Sequence, residues 1–166
     1  MKAYCLDTSG LSNPLEYMPE DIHPTLWAKI EAIVCAGRFA ATAEICGELT
    51  HLSGSIGNCL QQNTDVMLME VASGQWDWNG YIAHGTRMQA DHHDFISEYN
   101  GNRKGTVGLN DISIVALARC IALPVISMES LSDPGPNKRR IPHICDAEGV
   151  EHLTFNDFLR REGIRI

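Results

Sequence analysis

The chain has 166 residues and a mass of 18.3 kDa, with 44% hydrophobic and 20% charged residues, values near globular averages that exclude wholesale disorder. Thirteen basic against 21 acidic residues leave a net charge of −8, which excludes holding nucleic acid by electrostatics alone. Area scaling gives roughly 8,000 Å² folded against about 26,500 Å² unfolded, enough burial for a single domain over residues 1–166 without disulfide or zinc staples.

Ala3-Tyr4-Cys5-Leu6 is a short apolar run that ends at Asp7-Thr8-Ser9-Gly10, so it predicts a buried strand with an acid at its carboxyl end. A loop is expected through Asn13-Pro14 and Pro19-Glu20-Asp21. Pro24 can open a helix, Leu26, Trp27, Ile30, Ile33 and Val34 recur at helical spacing, and Gly37 stops it. Phe39-Ala40-Ala41-Thr42 predicts the next strand. Ile45, Cys46, Leu49 and Leu52 then follow with helical period and place Glu44 and Glu48 on one face, one turn apart.

Residues 53–108 carry the weakest pattern and are expected to form a helical insertion. Ser53-Gly54-Ser55 and Gly57 suggest a break, and Tyr81 to Tyr99 is loosely helical. Trp76 and Trp78 are expected to pack a helical cap against the body, although stacking on bases is open to them. Regularity returns at Leu109-Asn110-Asp111-Ile112, the start of a mostly buried helix with Asn110 as expected N-cap and Asp111 in the first turn. Pro124-Val125-Ile126-Ser127 predicts a third strand, followed directly by Glu129. A loop over Asp133-Pro134-Gly135-Pro136 leads into Lys138-Arg139-Arg140. A short helix from His143 to Glu148, an edge strand at His152-Leu153 and a helix opened by the capping box Thr154-Phe155-Asn156-Asp157 complete the chain.

The alternation predicts an α/β fold with a mainly parallel sheet. No apolar run is long enough to cross a bilayer, and Asp7 arrives too early for a signal peptide, so a cytoplasmic protein without membrane association is expected. The six cysteines show no zinc-like spacing and read as reduced core thiols, and adjacent His92-His93 suits a metal poorly.

The acids are the informative feature. Asp7, Glu48 and Glu129 follow strands and Asp111 opens a helix, and open α/β sheets place their sites at the carboxyl ends of strands. Carboxylates gathered there repel one another, and hard oxygen donors suit Mg²⁺ or Mn²⁺ for attack of water on a phosphodiester. Asp111 has a plain alternative as a helix cap.

Tyr4-Cys5-Leu6-Asp7-Thr8-Ser9 resembles the opening motif of PIN-domain nucleases, the fold of VapC-type toxins. Ala41 to Leu49, with its Glu48-Leu49 pair, is similar to that family's second motif, and Asn110-Asp111-Ile112 through Ala118 to its third. Val125-Ile126-Ser127-Met128-Glu129 falls where the family has Thr/Ser-x-Asp/Glu, and Ile141 to the last helix resembles an uncharacterised bacterial and archaeal PIN-like branch. The match covers 3–52 and 107–166. Ser9 stands where many members have Asn, and Glu129 replaces the commoner Asp.

The resemblance implies a three-layer α/β/α fold and a metal-dependent endoribonuclease, the toxin of a type II toxin–antitoxin pair, with RNA as substrate and an antitoxin or a second copy as partner. It implies that Asp7, Glu48, Asp111 and Glu129 hold Mg²⁺ or Mn²⁺, supported by Thr8, Ser9, Glu44 and Ser127, with Lys138, Arg139 and Arg140 contacting RNA. The rival reading is a PIN-like protein without turnover that acts by binding RNA or protein. A phosphoaspartate phosphatase is disfavoured because Ser9 stands where a second Asp would be needed.

Overall fold

The computed structural model describes residues 1–70, 72–132, 135 and 138–165. Asp133, Pro134 and Pro136 of the expected loop lie outside the described residues. Four parallel strands, β1 (Tyr4–Leu6), β2 (Phe39–Ala40), β3 (Val125–Ile126) and β4 (His152–Leu153), form one sheet in the order β2-β1-β3-β4. Cys5 pairs with Ala40 on one side and Val125 on the other, so β1 is central and buried on both faces.

Side-chain alternation along β1 separates the helical layers. Tyr4 packs edge-on against Phe158 of helix α10 (Phe155–Arg161), and Phe155 of that helix stacks on Trp27 of α2 (Pro24–Cys35). Cys5 points the other way, near Cys120 of α8 (Leu109–Ile121) and Cys145 of α9 (Ile141–Glu148). A sheet between two helical layers results, the three-layer α/β/α arrangement.

The predicted α2 is present with Leu26, Trp27, Ile30, Ile33 and Val34 buried, and Gly37 ends it at φ +65°. The expected loop at Asn13-Pro14 is instead helical, since α1 spans Ser9–Tyr17 and contains Pro14. Packing overrides local preference here. A Cβ on Gly10 would lie 2.9 Å from the Ile126 carbonyl oxygen, so glycine lets α1 press on the end of β3.

After α3 (Ala43–Leu49), the expected break at Gly54-Ser55-Ile56-Gly57 is also helical, α4 spanning Gly54–Gln62. The carboxylate of Glu20, far away in sequence, accepts the Ser55 and Ile56 N–H groups at 2.9 and 2.7 Å and so caps that helix. The rest of the 53–108 insertion is α5 (Thr64–Met67), α6 (Trp78–Asp91), a 3₁₀ turn at His93–Phe95 and α7 (Ser97–Asn100), with α6 packed along α8. The final capping box forms as expected, the Thr154 hydroxyl accepting the Asp157 N–H at 3.2 Å. Of the cysteines, Cys5, Cys46 and Cys145 are core thiols. Cys35 is exposed, its sulfur 3.8 Å from that of half-buried Cys59, because the two close the surface contact of α2 with α4. No helix among the described residues is long and apolar enough to cross a membrane.

Candidate active site

The chain leaves β1 toward β2 on one side and places β3 on the other, so the order reverses between β1 and β3. In open parallel sheets the crevice beyond that reversal receives ligands, because the two loops diverge there and leave a gap. The loop after β1 carries Asp7, Thr8 and Ser9, and the loop after β3 carries Ser127, Met128 and Glu129. Ser9 joins the two loops. Its hydroxyl donates to the Asp7 carboxylate at 2.5 Å and accepts the Met128 N–H at 3.1 Å. Ser127 is fully buried, hydrogen-bonded to His152 at 2.8 Å, and accepts the Glu129 N–H at 3.3 Å. The two hydroxyls set the loop geometry.

Asp111 arrives from α8. That helix begins at Gly108, not at the expected N-cap Asn110, and the Asp111 carboxylate caps it by accepting the Gly108 N–H at 2.7 Å. Glu98 completes the cap by accepting the Leu109 N–H at 3.1 Å. Asn110 is thereby exposed, and its amide donates to Glu48 at 3.4 Å, while the Thr8 hydroxyl donates to the other Glu48 oxygen. Glu129 accepts the Ile141 N–H at 2.7 Å, which ties its loop to α9. Asp111 and Glu129 thus each commit one carboxylate oxygen to a backbone donor.

The electrostatics of these acids are mutual. Burial, then the neighbouring charges of Asp7, Glu129 and Glu98, push Asp111 up to about 7 against the pull of the Gly108 N–H. Asp7 is only 7% exposed and is raised by burial, with Glu48 adding repulsion. Glu129 is also raised, first by burial and then by Asp7, while Arg140 and His143 oppose the shift. No cation offsets the charge at Asp7 or Asp111 among the described residues. The structure therefore brings Asp7, Asp111, Glu129 and Glu48 to one end of the sheet. As placed, no three His, Cys, Asp or Glu side chains among the described residues are close enough together to hold an ion.

Three expected contributors stand elsewhere. Glu44 lies on the same face of α3 as Glu48 but one turn earlier, about 6 Å along the axis, and there lines a neighbouring cavity with Trp76, Trp78 and Tyr81. Lys138 lays its methylenes against Gly105, and the Arg139 guanidinium sits 4.5 Å above the Phe95 ring, so both clamp the insertion. Arg140, exposed at the start of α9, is the basic residue whose charge reaches Glu129. The sequence reading missed Asn110 and Glu98 as partners of the site. Asn110 stands next to Asp111 in sequence, but its contact with Glu48 was not visible there, and Glu98 reaches the helix start from the weakly patterned insertion.

Residues 4–166 match the model of a domain family of unknown function, DUF4411, and the chain belongs to that family. No curated protein and no solved structure matches the chain significantly.

Proposed function

We propose that this DUF4411 domain is a metal-dependent endoribonuclease that hydrolyses RNA phosphodiesters at the crevice between β1 and β3. The observation that carries the reading is a set of acids from four distant chain positions, gathered at the sheet's reversal point with no cation among the described residues to neutralise Asp7 or Asp111. The donor set fits Mg²⁺ or Mn²⁺, since it is hard oxygen throughout and retains uncommitted carboxylate oxygens. Asp7, Asp111 and Glu129 would hold the ion, with Glu48 beside them at the rim. When bound, such an ion supplies the Lewis acidity that in-line attack of water on a phosphodiester requires.

The chain's own groups do the positioning. Ser9 fixes the Asp7 carboxylate relative to the β3 loop. Gly108 and Ile141 orient Asp111 and Glu129, and Thr8 with Asn110 orients Glu48. The likeness to PIN-domain toxins extends the proposal to a cytoplasmic toxin restrained by an antitoxin protein, which a small antitoxin-like gene beside this one would support.

One observation favours the binding-only rival: the acids are neighbours rather than a closed coordination shell. Purified protein incubated with single-stranded and structured RNA in Mn²⁺, Mg²⁺ or EDTA decides between the two. Cleavage that requires the ion and disappears in Asp7→Asn is expected. RNA binding with no cleavage in either ion would leave only the rival.

A further inference from the structure

Beside the acids, Thr42, Glu44, Glu70, Trp76, Trp78 and Tyr81 line a cavity of about 470 Å³, within the size range of small-ligand sites. The three rings contact one another, with centroids 5.2 to 5.7 Å apart. Two of their polar tips are already engaged, the Trp76 N–H with the Glu70 carbonyl at 2.8 Å and the Tyr81 hydroxyl with Ser113. All three residues nevertheless stay partly exposed, so they offer some flat aromatic surface with little polar demand of its own. The polar lining is acceptor-rich. Neither the Glu44 nor the Glu70 carboxylate has a hydrogen-bond donor or cation partner among the described residues.

From this geometry we infer that the cavity is a nucleobase pocket that selects guanine in single-stranded RNA. The inference rests on the nuclease reading and adds a substrate preference to it. Rings that touch one another leave no gap for an ammonium group between them, which argues against a cage for a methylated amine and for a wall on which a flat base stacks. A carboxylate accepts hydrogen bonds and donates none. The Watson–Crick edge of guanine offers adjacent imino and amino donors, a two-point match to one carboxylate. Adenine and cytosine set an acceptor beside their amino group, and uracil flanks its single donor with two carbonyls, so each turns a lone pair toward the carboxylate. Glu44 lies one helical turn from Glu48, about 5–6 Å between Cβ atoms, so a base in the pocket sets its own phosphate toward the acids.

Binding is tested apart from cleavage by titrating the protein in EDTA with GMP, AMP, CMP and UMP while following tryptophan fluorescence. GMP should quench the signal with at least tenfold tighter binding than the other three, and Glu44→Gln should erase that advantage. Trp78→Ala should weaken all four, and circular dichroism of Glu44→Gln checks that the surface variant is folded. In Mn²⁺, wild-type cuts in a mixed-sequence RNA should cluster beside guanine, and Glu44→Gln should scatter them. Equal binding of the four nucleotides, no binding of any, or tighter binding of a trimethyl-lysine peptide would overturn the pocket even if RNA is cleaved. Guanine-selective quenching without cleavage would keep the pocket and overturn the nuclease.

Discussion

Two buried acids in this molecule have opposite surroundings. Glu148 and Asp7 are 6% and 7% exposed, so burial alone should raise both. Glu148, at the end of α9, accepts both terminal nitrogens of Arg87 and the His92 ring at 2.8 Å, and its carboxyl is held below the usual range against the opposing effect of burial. Asp7 meets Ser9 and further carboxylates, and it is raised. One acid is satisfied by the fold and joins the α6 insertion to α9. The other is left with unspent negative charge at the sheet's reversal point. Similar solvent exposure with unequal pairing separates an acid that builds the molecule from one held ready for something outside it.

That contrast can be broken experimentally, most severely through activity. Asp7→Asn should lower RNA cleavage on the order of 10²-fold or more, because a neutral amide is a poor ligand for a hard cation, while leaving the metal-free protein folded. A variant that melts far below wild type would put Asp7 in the same class as Glu148. Metal linkage comes next. Mn²⁺ at ~100 times its Kd should stabilise the wild type by about 2.7 kcal/mol in thermal or urea melts, and Asp111→Asn should show much less. Equal stabilisation of both proteins would place the ion elsewhere.

Glu148→Gln should cost about 2 kcal/mol in urea unfolding. That lies below the usual cost of breaking a buried pair because Arg87 is 42% exposed and partly served by water. A neutral result would remove the contrast from the other side. The pH response sharpens it further. The folded protein holds a proton on Asp111 up to about pH 7, whereas the unfolded chain releases it near 3.8, so the folded state binds more protons between these values. Stability in EDTA should therefore rise as pH falls from 8 toward 5, and Asp111→Asn should flatten the slope. Glu148 contributes in the opposite sense, above its unfolded value of 4.5, and its contribution fades only in stronger acid. The smallest expected effect lies outside both regions. Ala122 closes α8 at φ +54°, and Ala122→Gly should raise stability by about 0.5 kcal/mol by relieving the left-handed conformation.

Much of the scaffold was readable because its signals are local. The apolar run ending at Asp7, the 3.6-residue spacing from Leu26 to Val34 and the Thr154 capping box each carry their instructions within a few residues. Helices α1 and α4 were not readable, since Pro14 and the Gly54–Gly57 stretch oppose helix locally. What holds them is distant: the Ile126 backbone that only Gly10 can approach, and the Glu20 cap on α4. The acids were legible as strand-end positions, but sequence periodicity could not show that Glu44 and Glu48, on one helix, look into different spaces. Nor could it show that Lys138 and Arg139 are occupied with the insertion.

The pairing of β1 with β3 also has a consequence for synthesis. Cys5 and Leu6 find Val125 and Ile126 only after well over a hundred intervening residues have been made, so a nascent chain cannot form the crevice early. Until β3 emerges, Ser9 has no Met128 backbone to hold it against Asp7, and Glu129 has not yet been made. The repulsion among these carboxylates is therefore met late, when most of the core is already available to oppose it. A chain interrupted before β3 carries three of the four acids but neither Glu129 nor the β3 loop that completes the crevice.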